Sequence, residues 1–176
     1  DHLVQFDGPP EQFLPRLLAV QCRVGSAEGG AILRTGTDQE AEVLAVFPPT
    51  KEKEPSPSWL AQAAGSRGKA LASTQTLRLP VNQPDQLYGQ SPQAFLLLIP
   101  LRCGTSVRGA AAFYLAISDA TILSQCQQRL ELSISLLLLY QMRLTLQARQ
   151  HDLQPLPRAM ILPHAVTEPG RFSPAA

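Results

Sequence analysis

Aromatic and charged side chains are scarce in this 176-residue chain, at 6% and 16% of positions, and the net charge is only +1. Nucleic-acid surfaces need a basic stripe with aromatics interleaved. Here the Lys and Arg residues are scattered, so no nucleic-acid partner is expected. Cysteine is limited to Cys22, Cys103 and Cys126, without a Cys-x-x-Cys or a Cys/His pair. That argues against structural zinc and for free thiols in a reducing compartment. No apolar run approaches the ~20 residues that span a bilayer; the longest are Ala94–Leu101, which includes Pro100, and Leu136–Tyr140. The first residues lack the basic and apolar segments of a signal peptide. The chain therefore reads as soluble and cytoplasmic, with no direct membrane insertion. It opens at Asp1 rather than Met, as a piece of a longer protein would.

Catalytic sets are missing too. His2, His151 and His164 fall in a lead-in, a helix end and a tail, so no Ser/His/Asp triad is expected. The strands carry no paired carboxylates. Gly29-Gly30 precedes a strand rather than joining a strand to a helix, the wrong order for a nucleotide fingerprint. No enzyme activity, metal or cofactor is expected on these grounds.

What is present is a sequence of periodic segments. Residues 1–10 end in Gly8-Pro9-Pro10 and read as a lead-in. Phe13, Leu14, Leu17, Leu18 and Cys22 fall at helical spacing within Glu11–Arg23. Pro15 is tolerated best in a first turn, which predicts a helix start near Phe13. Gly30–Thr35 and Glu42–Phe47 flank the turn Thr35-Gly36-Thr37-Asp38 and read as an antiparallel hairpin, because so short a connection cannot join parallel strands.

A polar, Pro-rich loop, Pro48–Pro57, leads to a helix over Ser58–Ser73, with Ser56 as N-cap and Pro57 at the first helical position. Gly65 and Gly68 each cost about 1 kcal/mol of helix propensity, so a break in the middle of that helix is expected. Thr76–Val81 alternates as a strand, and Asn82–Pro92 is a loop. Ala94–Arg102 is an apolar strand buried on both faces, and Val107–Ile117 is the last strand. Ser118 or Asp119 caps a long helix, Asp119–Leu153. Residues 154–176 carry five prolines and read as a disordered tail or linker. The order predicts an α+β domain over 11–153, with a central antiparallel sheet and terminal helices on one face.

This arrangement resembles a GAF domain, a sensory module related to PAS domains. Phe95-Leu-Leu-Leu-Ile-Pro-Leu101 is similar to the family's apolar strand ending in Pro-Leu. The hairpin Arg102–Arg108 and Gly109-Ala-Ala-Ala-Phe113 resemble its following, Gly-opened strand. Trp59-Leu60 with Ala70-Leu71-Ala72-Ser73 resembles the helix before its third strand.

The resemblance implies a five- or six-stranded sheet with the first and last helices on one face. It implies a pocket on the other, under Ser58–Ser73 and Asn82–Pro92. Relatives hold cyclic nucleotides, bilins, haem or small metabolites there, and their last helix pairs with its copy. The Asn-Lys-Phe-Asp-Glu-like set for cyclic nucleotides and the Cys-His pair for bilins are absent. Candidate ligand-binding residues are Trp59 and Tyr88, with Arg78 or Arg108 for an anionic group. Core packing is the competing role for Trp59, and a solvated rim position for Arg108. The segment Leu137–Arg149 is also similar to GAF segments that precede secretion-type membrane-fusion adaptors.

In the long helix, Leu123, Cys126, Leu130, Ile134 and Leu137 form one stripe, and Leu132, Leu136, Leu139 and Leu146 a second, interrupted by Arg143. A helix apolar on two sides buries more than one face. The second stripe is the expected homodimer interface; one broad stripe covered by the sheet and first helix is the competing reading. Three functions follow: a non-enzymatic sensory or regulatory domain, dimeric and binding a small molecule; a ligand-free dimerisation scaffold in a larger, secretion-adaptor-like protein; and a methionine sulfoxide reductase-like enzyme using Cys103 beside Arg102. The last needs Cys22 or Cys126 as a resolving thiol, and both are expected on helices of the other face.

Overall fold

The computed structural model describes residues 10–35, 40–51, 53–81, 89–103 and 106–153. Helix α1 spans Pro10–Gly25, followed by strands β1 (Gly29–Thr35) and β2 (Ala41–Phe47), helix α2 (Ser58–Ala72), strands β3 (Leu77–Pro80), β4 (Phe95–Cys103) and β5 (Ser106–Leu115), and helix α3 (Ala120–Leu153). The strands form one antiparallel sheet in the order β2-β1-β5-β4-β3. The expected α+β class and five-stranded sheet are what the structure has. The lead-in before Pro10, most of the Asn82–Pro92 loop and the tail after Leu153 lie outside the described residues. The chain divides into two compact units, Asp1–Tyr140 with the whole sheet, and Gln141–Ala176, whose described part is the helical run to Leu153.

Strand alternation sorts the core into two layers. Ile32, Leu97, Ile99, Ala111, Phe113 and Leu115 point to one face, where Leu18 and Cys22 of α1 meet Leu123, Cys126, Leu130 and Ile134 of α3. Ala31, Leu33, Leu96, Leu98, Ala110 and Ala112 point to the other, against Trp59, Ala63 and Ala70 of α2. A strand buried on both faces carries an unbroken apolar run, which is why β4 reads as one in the sequence. Gly109 lets β5 approach β1 closely: a Cβ there would strike the Leu33 carbonyl.

Three local expectations need correction. Helix α1 begins at Pro10, so Pro15 sits inside it rather than in its first turn. It is solvent-exposed there. Pro57 itself occupies the N-cap of α2, extended at φ −55° and ψ 138°, without a side-chain hydrogen bond. Gly65 and Gly68 do not interrupt α2, whose buried side Trp59, Ala63 and Ala70 secures by packing. For α3 the cap is Asp119, whose Oδ1 accepts from the backbone N–H of Thr121 (2.8 Å) and Ile122 (3.0 Å).

Candidate functional site

Helix α3 separates its apolar residues by direction. Leu123, Cys126, Leu130 and Ile134 are buried against the sheet and α1. In the same unit Leu132, Leu136 and Leu139 leave 62%, 59% and 63% of their surface in solvent. The two stripes are thus distinct, and neither the sheet nor α1 covers the second. Leu146, in the other unit, is exposed as well, with Met142, Leu144 and Leu153.

The expected ligand residues are not gathered in one place among the described residues. Trp59 is buried on the α2 face and stacks on Tyr114, ring centroids 6.1 Å apart and planes 13° from parallel. Gly29 makes room for it, since a Cβ would lie 2.8 Å from the indole. Arg78 points the other way. Its strand neighbours Leu77 and Leu79 pack toward α2, so the alternation sends Arg78 to α3. There its Nη2 donates to Gln127 Oε1 (2.8 Å) and Ser124 Oγ (3.3 Å). Tyr88 and the side chain of Arg108 lie outside the described residues.

A cleft of about 530 Å³ opens between the segment before β3, the end of β4 and α3. Thr74, Gln75 and Thr76 form one wall, Pro100 and Arg102 another, and Ile99, Ile134 and Leu138 supply the apolar surface. Glu131 projects into it from α3, half-buried. Its Oε1 accepts from Thr76 Oγ1 (2.6 Å) and Gln127 Nε2 (2.8 Å). Arg102 Nη2 donates to the Thr74 carbonyl across the cleft (3.3 Å). None of these cleft residues carries a sequence signature; the site exists only because strand and helix cross here.

Cys22 and Cys126 are free and buried in the layer between the sheet and the two terminal helices. Burial pushes the Cys22 thiol up from 9.0 to about 12, since the apolar surroundings disfavour thiolate. The side chain of Cys103 is outside the described residues. Among the described residues no three His, Cys, Asp or Glu side chains are grouped as metal ligands. No helix there is long and apolar enough to cross a membrane.

No protein-family model matches the chain, and no curated protein matches it. Solved structures do. The nlh2 GAF domain of A. aeolicus, solved in an inactive state, superposes with a TM-score of 0.57 at 16% identity, over 81% of this chain and 91% of that one. The GAF domain of a protein described as a sensor histidine kinase, from Pseudomonas syringae pv. tomato, gives 0.53 at 19% identity over 85% of each chain. The chain has the fold of a GAF domain.

Proposed function

We propose that this chain is a non-enzymatic sensory or regulatory module that pairs with a second copy of itself through α3. The observation that carries the reading is the second apolar stripe. Leu132, Leu136 and Leu139 are exposed on a helix whose opposite side is already buried in the domain's own core. Large contiguous apolar patches on a soluble surface mark interaction sites. The occupant proposed is a second copy, because the spacing is self-complementary. Leucine recurs at every seventh position, Leu132, Leu139, Leu146 and Leu153, with Leu136, Arg143 and Gln150 at the alternate seam positions. A coiled coil needs apolar residues at both seam positions of the heptad; leucine fills one of them throughout, and Leu136 fills the other at the start. Arg143, within the seam, would weaken pairing while limiting it to one register.

Such a dimer joins two sheets through one helix pair, so a change at either sheet reaches whatever follows α3. This is the sensory role that the histidine-kinase origin of one structural neighbour supports. A cytoplasmic setting accords with the buried free thiols. The ligand-free scaffold is the second reading, favoured by the stacking of Trp59 on Tyr114, which uses that aromatic face for packing. Solution mass as a function of concentration tests the pairing: a concentration-independent monomer would refute it.

A further inference from the structure

The cleft beside β3 exists because a ladder stops early. β3 pairs with β4 only from Leu77 opposite Leu98 to Pro80 opposite Phe95. β4 continues against β5 as far as Cys103. Because β3 is the outermost strand, Ile99, Pro100 and Arg102 have no ladder on that side. Pro100 also has no N–H with which to recruit one. Helix α3 spans the gap with Glu131, Ile134 and Leu138, and the resulting volume is in the range of small-molecule sites.

Two charges of opposite sign, half-buried Glu131 and exposed Arg102, line this cleft, and among the described residues neither is in an ion pair. Glu131 is half-buried, and both donors to its Oε1 are neutral. Arg102 donates to a neutral carbonyl. The ion pair found among the described residues, Arg34 with Glu42, involves neither of them. A carboxylate drawn partly out of water is best stabilised by a cation, and a guanidinium fork matches a carboxylate. Ile99, Ile134 and Leu138 line the same cleft and suit an aliphatic body.

We propose that this cleft binds a small zwitterion with an aliphatic side chain, a free amino acid or short peptide. Its ammonium meets Glu131, its carboxylate meets Arg102, and its side chain lies on Ile99, Ile134 and Leu138. This site is on the α3 side of the sheet, apart from the α2 face where Trp59 lies, and it does not depend on dimerisation. Three of its residues belong to the helix that carries the exposed leucine stripe, so occupancy bears directly on that helix.

The test titrates the full chain with L-leucine and L-leucyl-L-leucine by calorimetry and amide NMR. Isocaproate and isoamylamine serve as analogues lacking the ammonium and the carboxylate. At least one zwitterion should bind with a Kd below about 1 mM, shifting the Thr76 and Ile99 amides, and each analogue should bind about tenfold more weakly or worse. Stronger binding of leucine identifies a free amino acid as the source; stronger binding of the dipeptide identifies a peptide. Glu131→Gln keeps an acceptor for Thr76 and Gln127, so its circular dichroism should match the parent while affinity falls about tenfold or more. Arg102→Gln should act likewise. Absence of binding by either zwitterion, equal binding by the analogues, or affinity unchanged in both variants would overturn the proposal. The chain's mass is recorded separately, so a failure of the dimer is distinguishable from a failure of this site.

Discussion

Replacing Leu132, Leu136 and Leu139 together by Glu should convert the protein into a folded monomer. Each of these side chains leaves about three-fifths of its surface in solvent within one copy. Full burial of a leucine is worth about 1.5–3 kcal/mol, so covering the exposed part returns roughly 1–2 kcal/mol per residue. Three leucines from each of two copies then supply about 5–11 kcal/mol, set against an association cost of about 4–15 kcal/mol. On that comparison the proposed dimer depends on these side chains, and their loss should remove it. Six buried carboxylates would oppose pairing further.

The fold should survive, because the three positions are exposed and lie outside the buried core of the single copy, and such surface changes alter stability by about 0.5 kcal/mol each. Sedimentation velocity gives the mass and urea unfolding the stability. The single change Leu136→Ala should weaken the dimer by about 2 kcal/mol across both copies, some 30-fold in Kd. A triple variant that unfolds would show that the stripe belongs to the domain's own core. One that remains dimeric would show that pairing uses another surface. Either result refutes the reasoning.

Arg143→Leu should tighten the dimer by about tenfold or more, measured by sedimentation equilibrium, because it replaces a charge in the seam with the residue the heptad favours; an unchanged affinity would remove residue 143 from the seam. Asp119→Ala should cost about 1 kcal/mol in urea unfolding, since it strips the α3 N-terminus of the acceptor for two N–H groups; a neutral result would mean that water replaces the cap fully. Cys22 makes stability depend on alkaline pH. Its folded pKa, about 12, lies above the unfolded value of 9.0, so the folded state holds the proton longer. The contribution is complete below pH 9 and is lost as pH rises toward 12. The urea midpoint should fall between pH 9 and 10.5 more steeply in the parent than in Cys22→Ala; equal slopes would contradict the assignment.

Much of the fold was legible because the relevant signals are local. The turn from Thr35 to Asp38 announced the β1–β2 hairpin, and the apolar run in β4 announced a strand covered on both sides. Pro15 points to a helix start near Phe13, yet α1 begins at Pro10 and holds Pro15 inside it, so tertiary packing of Leu17, Leu18 and Cys22 outweighs the local penalty. Two stripes on α3 could be counted in the sequence, but only packing decides which is inside: Leu130 and Ile134 are buried, while Leu132 and Leu136 are not. The site was less legible. The pocket implied by the resemblance takes Arg78 or Arg108 as its charge beside Trp59, yet strand phase sets Arg78 and Trp59 on opposite faces. The cleft joins Thr76 to Glu131 across 55 positions, where no spacing rule applies. Its charges become informative only once their neighbours are known to be neutral.

The molar mass of the unmodified chain, measured by sedimentation equilibrium from low to high micromolar concentration, tests the central claim most directly. Pairing through α3 predicts a mass approaching twice 19.1 kDa as concentration rises. A mass of 19.1 kDa throughout that range would contradict it.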